Sequence, residues 1–271
     1  MKNQFLSYLI YGAFAFAPMF VACDKDDDDN SNNINNTKEQ KEENNDNNGK
    51  TEDNGKQDED ESSLKAVDLG LSVKWANMNI GSIAPQYSGS FFAWGETEKK
   101  EEYSPTTYKF YEEDENSQLS LWLHGNHWNY KITKYSDSAY LETQDDVATV
   151  TLGSDWHIPT PEDWRELVNN CTRVWCEIEG VYGYKMIGPN GNYIFLPAAG
   201  WRSNNGISCA GDAGIYWSSY INVGFYVCVV AFHSKSFDVK SESTNLDING
   251  NYYSFINQRY YGCTVRPVCN K

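Results

Sequence analysis

The clearest pattern of hydrophobic and polar positions in the chain is a helical stripe that follows Thr160. Apolar side chains recur there at positions i, i+3, i+4 and i+7, in Trp164, Leu167, Val168 and Cys171. Thr160 is a favourable N-cap, Pro161 suits the first helical position, and the acids Glu162 and Asp163 favour the positive end of the helix dipole. The segment therefore predicts one amphipathic helix.

A shorter helix is predicted between Asp145 and Gly153, where the glycine would end it, although β-branched residues in this run disfavour a helix. The acids at its start, Asp145 and Asp146, are adjacent and would point apart on a helix, so they make a poor acid/base pair. The preference for acids at helix N-termini explains them better.

The remaining apolar segments have the pattern of β-strands. Short runs broken by glycines lie in Val67–Gly81 and Ser88–Glu96, and two runs flank the turn Gly188–Gly191, which predicts a hairpin. Three further strand-like runs follow, at 214–220, 225–232 and 260–269. The polar, aromatic and irregular segment Glu98–Tyr140 predicts a long excursion on the surface. Helices early and strands late, without an internal repeat, indicate an α+β domain.

The N-terminus has the form of an export signal. After the single positive charge of Lys2, Phe5–Ala22 is almost unbroken apolar sequence, which is typical of a secretory signal peptide. Its 18 residues could also just span a bilayer as an uncleaved anchor. The segment Phe20–Cys23 resembles a bacterial lipobox, with Phe where that motif usually has Leu. We therefore expect residues 1–22 to be a lipoprotein signal peptide and Cys23 to be lipidated, which would anchor the chain in the membrane.

Composition divides the rest of the chain into a linker, 23–63, and a domain, 64–271. Residues 24–63 hold 15 acids and 5 bases, a net charge of −10, and almost no aliphatic side chains, which predicts a disordered acidic linker. Its first residues, CDKDDDD, resemble the tag that directs Bacteroidota lipoproteins to the outer face of the outer membrane; solubility near a membrane is the alternative explanation. The domain holds 23 acids and 16 bases without a basic patch, so no nucleic-acid partner is expected.

Six motifs occur in order through the domain, between Ala66 and Val268: DLGLSVKWANMNIG, FFAWGE, DWHIPTPEDWREL, GPNGNYIFLPAAGWR, YWSS and GCTVRPV. Together they resemble the Fibrobacter succinogenes major paralogous domain. The resemblance implies a C-type-lectin-like fold, with helices packed on a twisted antiparallel sheet, adjacent termini and long irregular loops on one side. It also implies a surface binding module, and it leaves the role of His157 open because many members carry Arg there.

The motifs also predict parts of the core. Five tryptophans within them are expected to be buried: Trp75, Trp94, Trp156, Trp164 and Trp217. Arg266, in the last motif, is expected to form a buried or half-buried ion pair.

Catalytic and metal-binding patterns are weak. The formylglycine-generating enzymes share the broad fold and use a cysteine pair near the C-terminus, where Cys263 and Cys269 lie, but the surrounding motif is missing. The calcium-binding motifs of lectins are missing too, and the oxygen-rich segment Asn245–Asn251 is better explained as a turn. His124 and His127 have no further zinc ligand nearby in the sequence. No cofactor, metal or enzymatic activity is therefore expected.

The cysteines of the domain leave their oxidation state open. An exported chain permits disulfides, but six cysteines allow 15 pairings, and free thiols are equally compatible with the sequence. They are Cys171, Cys176, Cys209, Cys228, Cys263 and Cys269.

Three loops have the composition of a recognition surface. The segments Ser203–Cys209, Tyr220–Phe225 and Ser234–Tyr261 are rich in Asn, Ser, Tyr and Gly, which supply adaptable hydrogen bonds and aromatic contacts. Tyr220 and Phe225 are expected to be partly exposed. The predicted ligand-binding residues are Trp201, Asn204, Asn205, Tyr220, Asn222, Phe225, Tyr226 and Tyr260.

The sequence as a whole predicts an outer-membrane lipoprotein that displays a non-catalytic module for a glycan or a protein ligand. Three alternatives stay open: an oxidase or another enzyme on the same fold, a structural subunit of a surface appendage, and a receptor whose loops are varied by a diversity-generating retroelement.

Overall fold

The structure is a computed structural model, and it describes residues 63–117, 120–123, 126–221, 227–233, 236–240 and 259–271. The predicted signal peptide, Cys23 and the linker as far as residue 62 lie outside these residues. So do Asn245–Asn251 and the side chains of His124, His127 and Cys228. Within the described residues, no helix has the length and apolar character needed to cross a membrane.

Both predicted helices are confirmed. Helix α1 is Val147–Leu152 and helix α2 is Pro161–Asn170. Thr160 caps α2 through a reciprocal pair of hydrogen bonds: its hydroxyl accepts from the Asp163 amide at 3.1 Å, and the Asp163 carboxylate accepts from the Thr160 amide at 2.8 Å. Short 3₁₀ turns lie at Pro105–Thr107 and Thr143–Asp145.

Strands dominate the described chain and form five sheets. The first is antiparallel, in the order β1 (Ala66–Val67), β2 (Lys74–Ala76), β18 (Val268–Cys269) and β8 (Trp156–His157). The largest runs in the order β16 (Ser236–Lys240), β15 (Val227–His233), β14 (Ala213–Ile221), β17 (Cys263–Thr264) and β3 (Phe91–Phe92), with β7 (Ala139–Tyr140) also paired to β14. Only the β14–β17 pair of this sheet is parallel among the described strands.

The other three sheets are small and antiparallel. One contains the predicted hairpin, in the order β11 (Tyr193–Pro197), β10 (Val181–Ile187) and β9 (Thr172–Ile178). A second is the pair β12 (Trp201–Ser203) and β13 (Gly206–Ser208). The third has the order β4 (Tyr111–Glu113), β6 (Asn126–Ile132) and β5 (Ser120–Leu123). The broad α+β class is thus confirmed, with more strand than helix.

The two ends of the described domain lie in the same sheet. Strands β1 and β18 both pair with β2, through Trp75. Lys271 Nζ also lies 3.2 Å from Asp68 Oδ1. The expected closeness of the termini is therefore present.

The core consists of two clusters of buried side chains that meet at β14. Four of the five tryptophans predicted to be buried are no more than 1 % exposed, and Trp156 is half-buried. Trp217 Nε1 donates to Phe92 O at 2.6 Å, and Trp164 Nε1 donates to Trp217 O at 3.3 Å. Trp164 also packs on Trp75 with a ring separation of 4.7 Å. The indoles thus fill the core. Those of Trp94, Trp164 and Trp217 donate to backbone oxygens, whereas Trp75 Nε1 has no hydrogen-bond partner among the described residues.

The segment Glu98–Tyr140 is not the surface excursion that its irregular pattern predicted. Five of its aromatic side chains are buried: Tyr103, Tyr108, Phe110, Tyr130 and Tyr135. The hydroxyls of Tyr103 and Tyr108 reach backbone oxygens, Phe91 O at 2.6 Å and Trp94 O at 2.7 Å. Each large aromatic ring buries much apolar area. A segment whose sequence lacks strand or helix periodicity can therefore still contribute to the core.

Arg266 is fully buried, but the predicted ion pair is wrong. Its guanidinium donates to Asn79 Oδ1 and Phe195 O, both at 2.7 Å, and also to the carbonyls of Ala76 and Asn77. No carboxylate of the described residues lies within ion-pair distance. Burial lowers the pKa of Arg266 to about 10, so the group stays charged at neutral pH. It joins three separate chain segments through neutral acceptors.

Candidate functional site

The predicted loop Ser203–Cys209 is the end of a small hairpin. Strands β12 and β13 pair from Trp201 with Ser208 to Ser203 with Gly206, which leaves Asn204 and Asn205 in the exposed turn. Gly206 follows this turn with a φ of +98°, a conformation that favours glycine. The hairpin presents both amide side chains to solvent.

The base of the hairpin is fixed to the largest sheet. The Gly200 amide donates to Ala213 O at 2.7 Å, and Arg202 and Gly262 exchange backbone hydrogen bonds of 2.7 and 2.8 Å. A Cβ at Gly200 would lie 2.0 Å from Ser208 O, so this close approach requires glycine. The turn is therefore exposed and rigidly supported, which is what residues of a binding site require.

An open cleft of about 340 Å³ lies between the hairpin and two other segments. One wall is the chain Gly89–Phe91, the second is part of Lys99–Tyr103, and the third is formed by Arg202 and Ile207 of the hairpin. This volume is at the lower end of the range for small-molecule sites, roughly 300–1,000 Å³. The cleft can hold a small ligand or one end of a longer one.

The cations of the cleft are held in different ways. Lys100 Nζ lies 2.8 Å from Glu96 Oε2 and donates to Thr107 O at 3.0 Å, so it is fixed. Arg202 pairs with Glu101 at 3.3 Å, and the Glu101 side chain is 97 % exposed. Lys99 is exposed and forms no ion pair with a described residue.

The ring of Tyr103 forms the floor beneath these cations. The Lys100 ammonium and the Arg202 guanidinium lie 5.6 and 5.7 Å from its centre. Burial raises the pKa of Tyr103, so its hydroxyl stays neutral and donates to Phe91 O. The floor is thus a buried, uncharged ring, and the charge of the cleft comes from its rim.

The structure brings together three of the eight predicted ligand-binding residues: Trp201, Asn204 and Asn205 lie on one hairpin. Asn204 Nδ2 is 3.4 Å from Glu102 Oε1, which places the turn beside the second wall of the cleft. Trp201 is half-buried and also packs against the core. Asn222, Phe225 and Tyr226 lie outside the described residues.

Tyr220 was predicted in a loop, but it lies in strand β14 and is half-buried. Its ring packs against Tyr140 at 4.8 Å. Gly214, which bridges to Gly200 at the hairpin base, is six residues away along the strand, or about 20 Å at ~3.3 Å per residue. Tyr220 therefore lies on a different part of the domain from the hairpin.

Tyr260 is a second correction, because its side chain is only 1 % exposed and cannot contact a ligand. It packs against Tyr261 and Tyr111 with ring separations of 4.9 and 6.4 Å. Burial raises its pKa, and the hydroxyl makes no hydrogen bond of good geometry with a described residue. Tyr260 directly precedes β17, a strand inside the largest sheet. This position explains why Tyr260 is buried although the segment before it has the composition of a loop.

Sequence reasoning missed the charged residues of the cleft, Lys99, Lys100 and Arg202, and the half-exposed Ile207. Two signals were present. The adjacent lysines interrupt the acidic run ETEKKEEY, and Ile207 is the aliphatic side chain of a polar loop. Neither signal indicates that the two segments meet in space.

The thiols considered for redox chemistry are inaccessible and lie in separate sheets. Cys263 is in β17 and fully buried, and Cys269 is in β18 and 7 % exposed. Both are free thiols whose pKa is raised by burial. Cys171 is a further buried free thiol, and burial raises its pKa to about 11. Such groups are poor nucleophiles at neutral pH.

The adjacent carboxylates have separate structural roles. Asp146 caps α1 by accepting from the amides of Ala148 and Thr149, at 2.9 and 3.1 Å. Asp145 binds Lys109 Nζ at 2.7 Å and also pairs with Lys134. Their assignment to a helix N-terminus is confirmed for Asp146. The described residues hold no group of three or more potential metal ligands.

Comparison with known proteins gave no match to a protein-family model, to a curated protein or to a solved structure.

Proposed function

We propose that this protein is a binding module, held at the outer face of the outer membrane by a lipid on Cys23, and that it recognises its ligand with the β12–β13 hairpin and the adjoining cleft. One observation carries the proposal. Trp201, Asn204 and Asn205, selected by composition, lie on one rigidly supported hairpin beside the 340 Å³ cleft. Exposed amides next to an aromatic side chain and a concave surface suit a ligand rich in hydroxyl or amide groups.

The proposal includes a C-type-lectin-like fold for residues 64–271. The six motifs of the sequence support it, as do the adjacent ends of the domain and the helix α2 that carries Trp164 into the core. In this arrangement the acidic linker joins the domain at the edge that carries β1.

A non-catalytic role is favoured by the positions of the groups that could react. The two thiols of the alternative oxidase are buried, with raised pKa values, and are not part of the cleft lining. The carboxylate of Asp145 is occupied by two lysines, and that of Asp146 caps a helix. The cleft itself carries cations, an acid that pairs with one of them, and backbone.

The test is to probe arrays of glycans and proteins with the purified full chain, and then to measure the affinity of the double variant Asn204→Ala, Asn205→Ala for any ligand found. We expect a loss of at least about tenfold, or ~1.4 kcal/mol, and a change in the free energy of unfolding of ~0.5 kcal/mol or less. The matched control is Asn169→Ala, Asn170→Ala at the exposed end of α2.

The control should bind like the parent chain. An equal loss of affinity in both double variants would show that the hairpin is not part of the binding surface. Arrays on which no ligand is found would contradict a binding function.

A further inference from the structure

The cleft beside the hairpin has the opposite charge to the domain that contains it. The domain holds 23 acids and 16 bases, yet the cleft lining has three cations, Lys99, Lys100 and Arg202, and a single acid, Glu101. A positively charged cleft on an otherwise acidic surface attracts anions to the cleft. The charge of the lining therefore indicates an anionic ligand.

The two rim cations are accessible to an incoming anion. Lys99 is exposed and has no ion-pair partner among the described residues. Among the described residues Arg202 forms an ion pair with Glu101 alone, at 3.3 Å, and the Glu101 side chain is 97 % exposed. An exposed ion pair of this kind contributes little to stability, so Glu101 can move aside at small cost when an anion approaches.

Lys100 differs, because it is already satisfied by Glu96 and by Thr107 O. Its ammonium also lies 5.6 Å from the centre of the Tyr103 ring. The charge available to a ligand therefore comes from Lys99 and Arg202, which line different walls of the cleft.

We propose that the cleft binds an anionic saccharide, whose carboxylate or sulfate group contacts Lys99 and Arg202 while its hydroxyls reach Asn204 and Asn205. The inference rests on the proposed binding function and names the class of ligand. A guanidinium offers two parallel donors to such a group, and an ammonium adds a mobile charge. The amides of the turn and the Ser90 wall supply the neutral hydrogen bonds that a sugar ring needs.

A saccharide fits this cleft better than a protein does. Specific protein partners bury about 1,200–2,000 Å² in total and use apolar or aromatic anchors. The cleft has a volume of about 340 Å³, and among the side chains of its lining only Ile207 is an exposed apolar one. A charged sugar residue within a longer chain matches this size and polarity.

The test uses four soluble polysaccharides with the full chain: polygalacturonate, its methyl ester, dextran sulfate and dextran. We expect binding to one or both acidic polymers, at least tenfold tighter than to the matching neutral polymer and weaker as salt rises. Binding to polygalacturonate alone assigns a carboxylate, and binding to dextran sulfate alone assigns a sulfate. Equal binding of the acidic and neutral members of both pairs overturns the inference.

Paired variants separate the cleft from general charge attraction. Lys99→Gln with Arg202→Gln should lower the affinity for the acidic polymer at least tenfold. The control, Lys131→Gln with Arg165→Gln, removes the same charge elsewhere; Lys131 is exposed on β6, and Arg165, like Arg202, pairs with a glutamate, Glu162 at 2.7 Å. It should bind like the parent chain. Equal losses in both pairs overturn the inference.

The failure of this inference is distinguishable from failure of the proposed function. A neutral ligand that loses affinity with Asn204→Ala, Asn205→Ala, but not with Lys99→Gln, Arg202→Gln, keeps the hairpin as the binding site and overturns the anionic saccharide. An acidic protein bound in preference to every polysaccharide overturns it as well. No ligand of any class contradicts both.

Discussion

The hairpin Trp201–Ser208 and the segment Arg259–Arg266 lie in opposite environments, although residues of both were predicted to bind a ligand. Both are short and contain Arg, Gly and an aromatic residue. The hairpin pairs mainly with itself and exposes its turn, whereas the second segment continues into β17, between β14 and β3. The difference shows that the number of neighbouring strands helps to decide which segment can contact a ligand.

The arginines of the two segments show the same contrast. Arg202 is on the rim of the cleft and pairs with an exposed glutamate, while Arg266 is fully buried and donates to carbonyl and amide oxygens. The first is available for recognition because its partner is exposed and held weakly. The second has a structural role, because removing it would leave several buried acceptors without a donor.

The largest effect is expected from Trp217→Ala in the buried region. The indole is 1 % exposed and donates to Phe92 O, so truncation removes a large buried side chain together with a hydrogen bond. Such changes cost ~3–5 kcal/mol, or roughly 6–20 °C in the melting temperature of a domain of this size. Thermal denaturation followed by circular dichroism measures it.

The comparison for this variant is Ile207→Ala in the hairpin, where the side chain is 52 % exposed. It should change the free energy of unfolding by ~0.5 kcal/mol or less. Similar melting temperatures for the two variants would contradict the division into a buried and an exposed region.

An intermediate effect is expected from Arg266→Met. Methionine has a similar length but leaves Asn79 Oδ1 and three backbone carbonyls without this donor, at ~1–3 kcal/mol for each acceptor that stays unsatisfied. We expect a loss of about 3 kcal/mol in urea denaturation, and a smaller loss for Arg266→Lys, which keeps the charge but not the planar donor geometry. Arg202→Gln should lose less than about 1 kcal/mol. Full stability of Arg266→Met would mean that the buried guanidinium is dispensable.

The smallest effect is expected from Tyr260→Phe. Its buried hydroxyl makes no hydrogen bond of good geometry with a described residue, so removing it should leave stability unchanged or raise it by up to about 1 kcal/mol. The control is Tyr216→Phe, which loses a hydrogen bond of 2.8 Å to Pro197 O and should cost about 1 kcal/mol. The same urea denaturation measures both. A Tyr260→Phe variant that weakens ligand binding without loss of stability would restore Tyr260 to the binding surface.

Local structure was predictable where the signal lies within a few residues. The N-cap Thr160, the acids of the first turn and the apolar stripe through Trp164 predicted α2, and Gly188–Gly191 predicted the β10–β11 hairpin. Each depends on contacts between residues close in the sequence. The broad α+β class follows from the order of such elements.

The candidate site was only partly predictable, because exposure depends on what packs over a residue. Asn204 and Asn205 were found from composition, since turns of this kind are exposed in most settings. Tyr260 was misplaced because its covering residues include Tyr111, about 150 positions earlier. The cleft joins three separate parts of the chain, so its charge reversal is visible only once Lys99 and Arg202 are brought together.

The last strands of the chain occupy interior positions in two sheets. Strand β17 lies between β14 and β3, and β18 lies between β2 and β8, so neither sheet is continuous before Cys263–Cys269 is in place. Contacts over such long sequence separations must form against a large loss of chain entropy, which slows folding. A chain that lacks Cys263–Cys269 would therefore have a gap in both sheets.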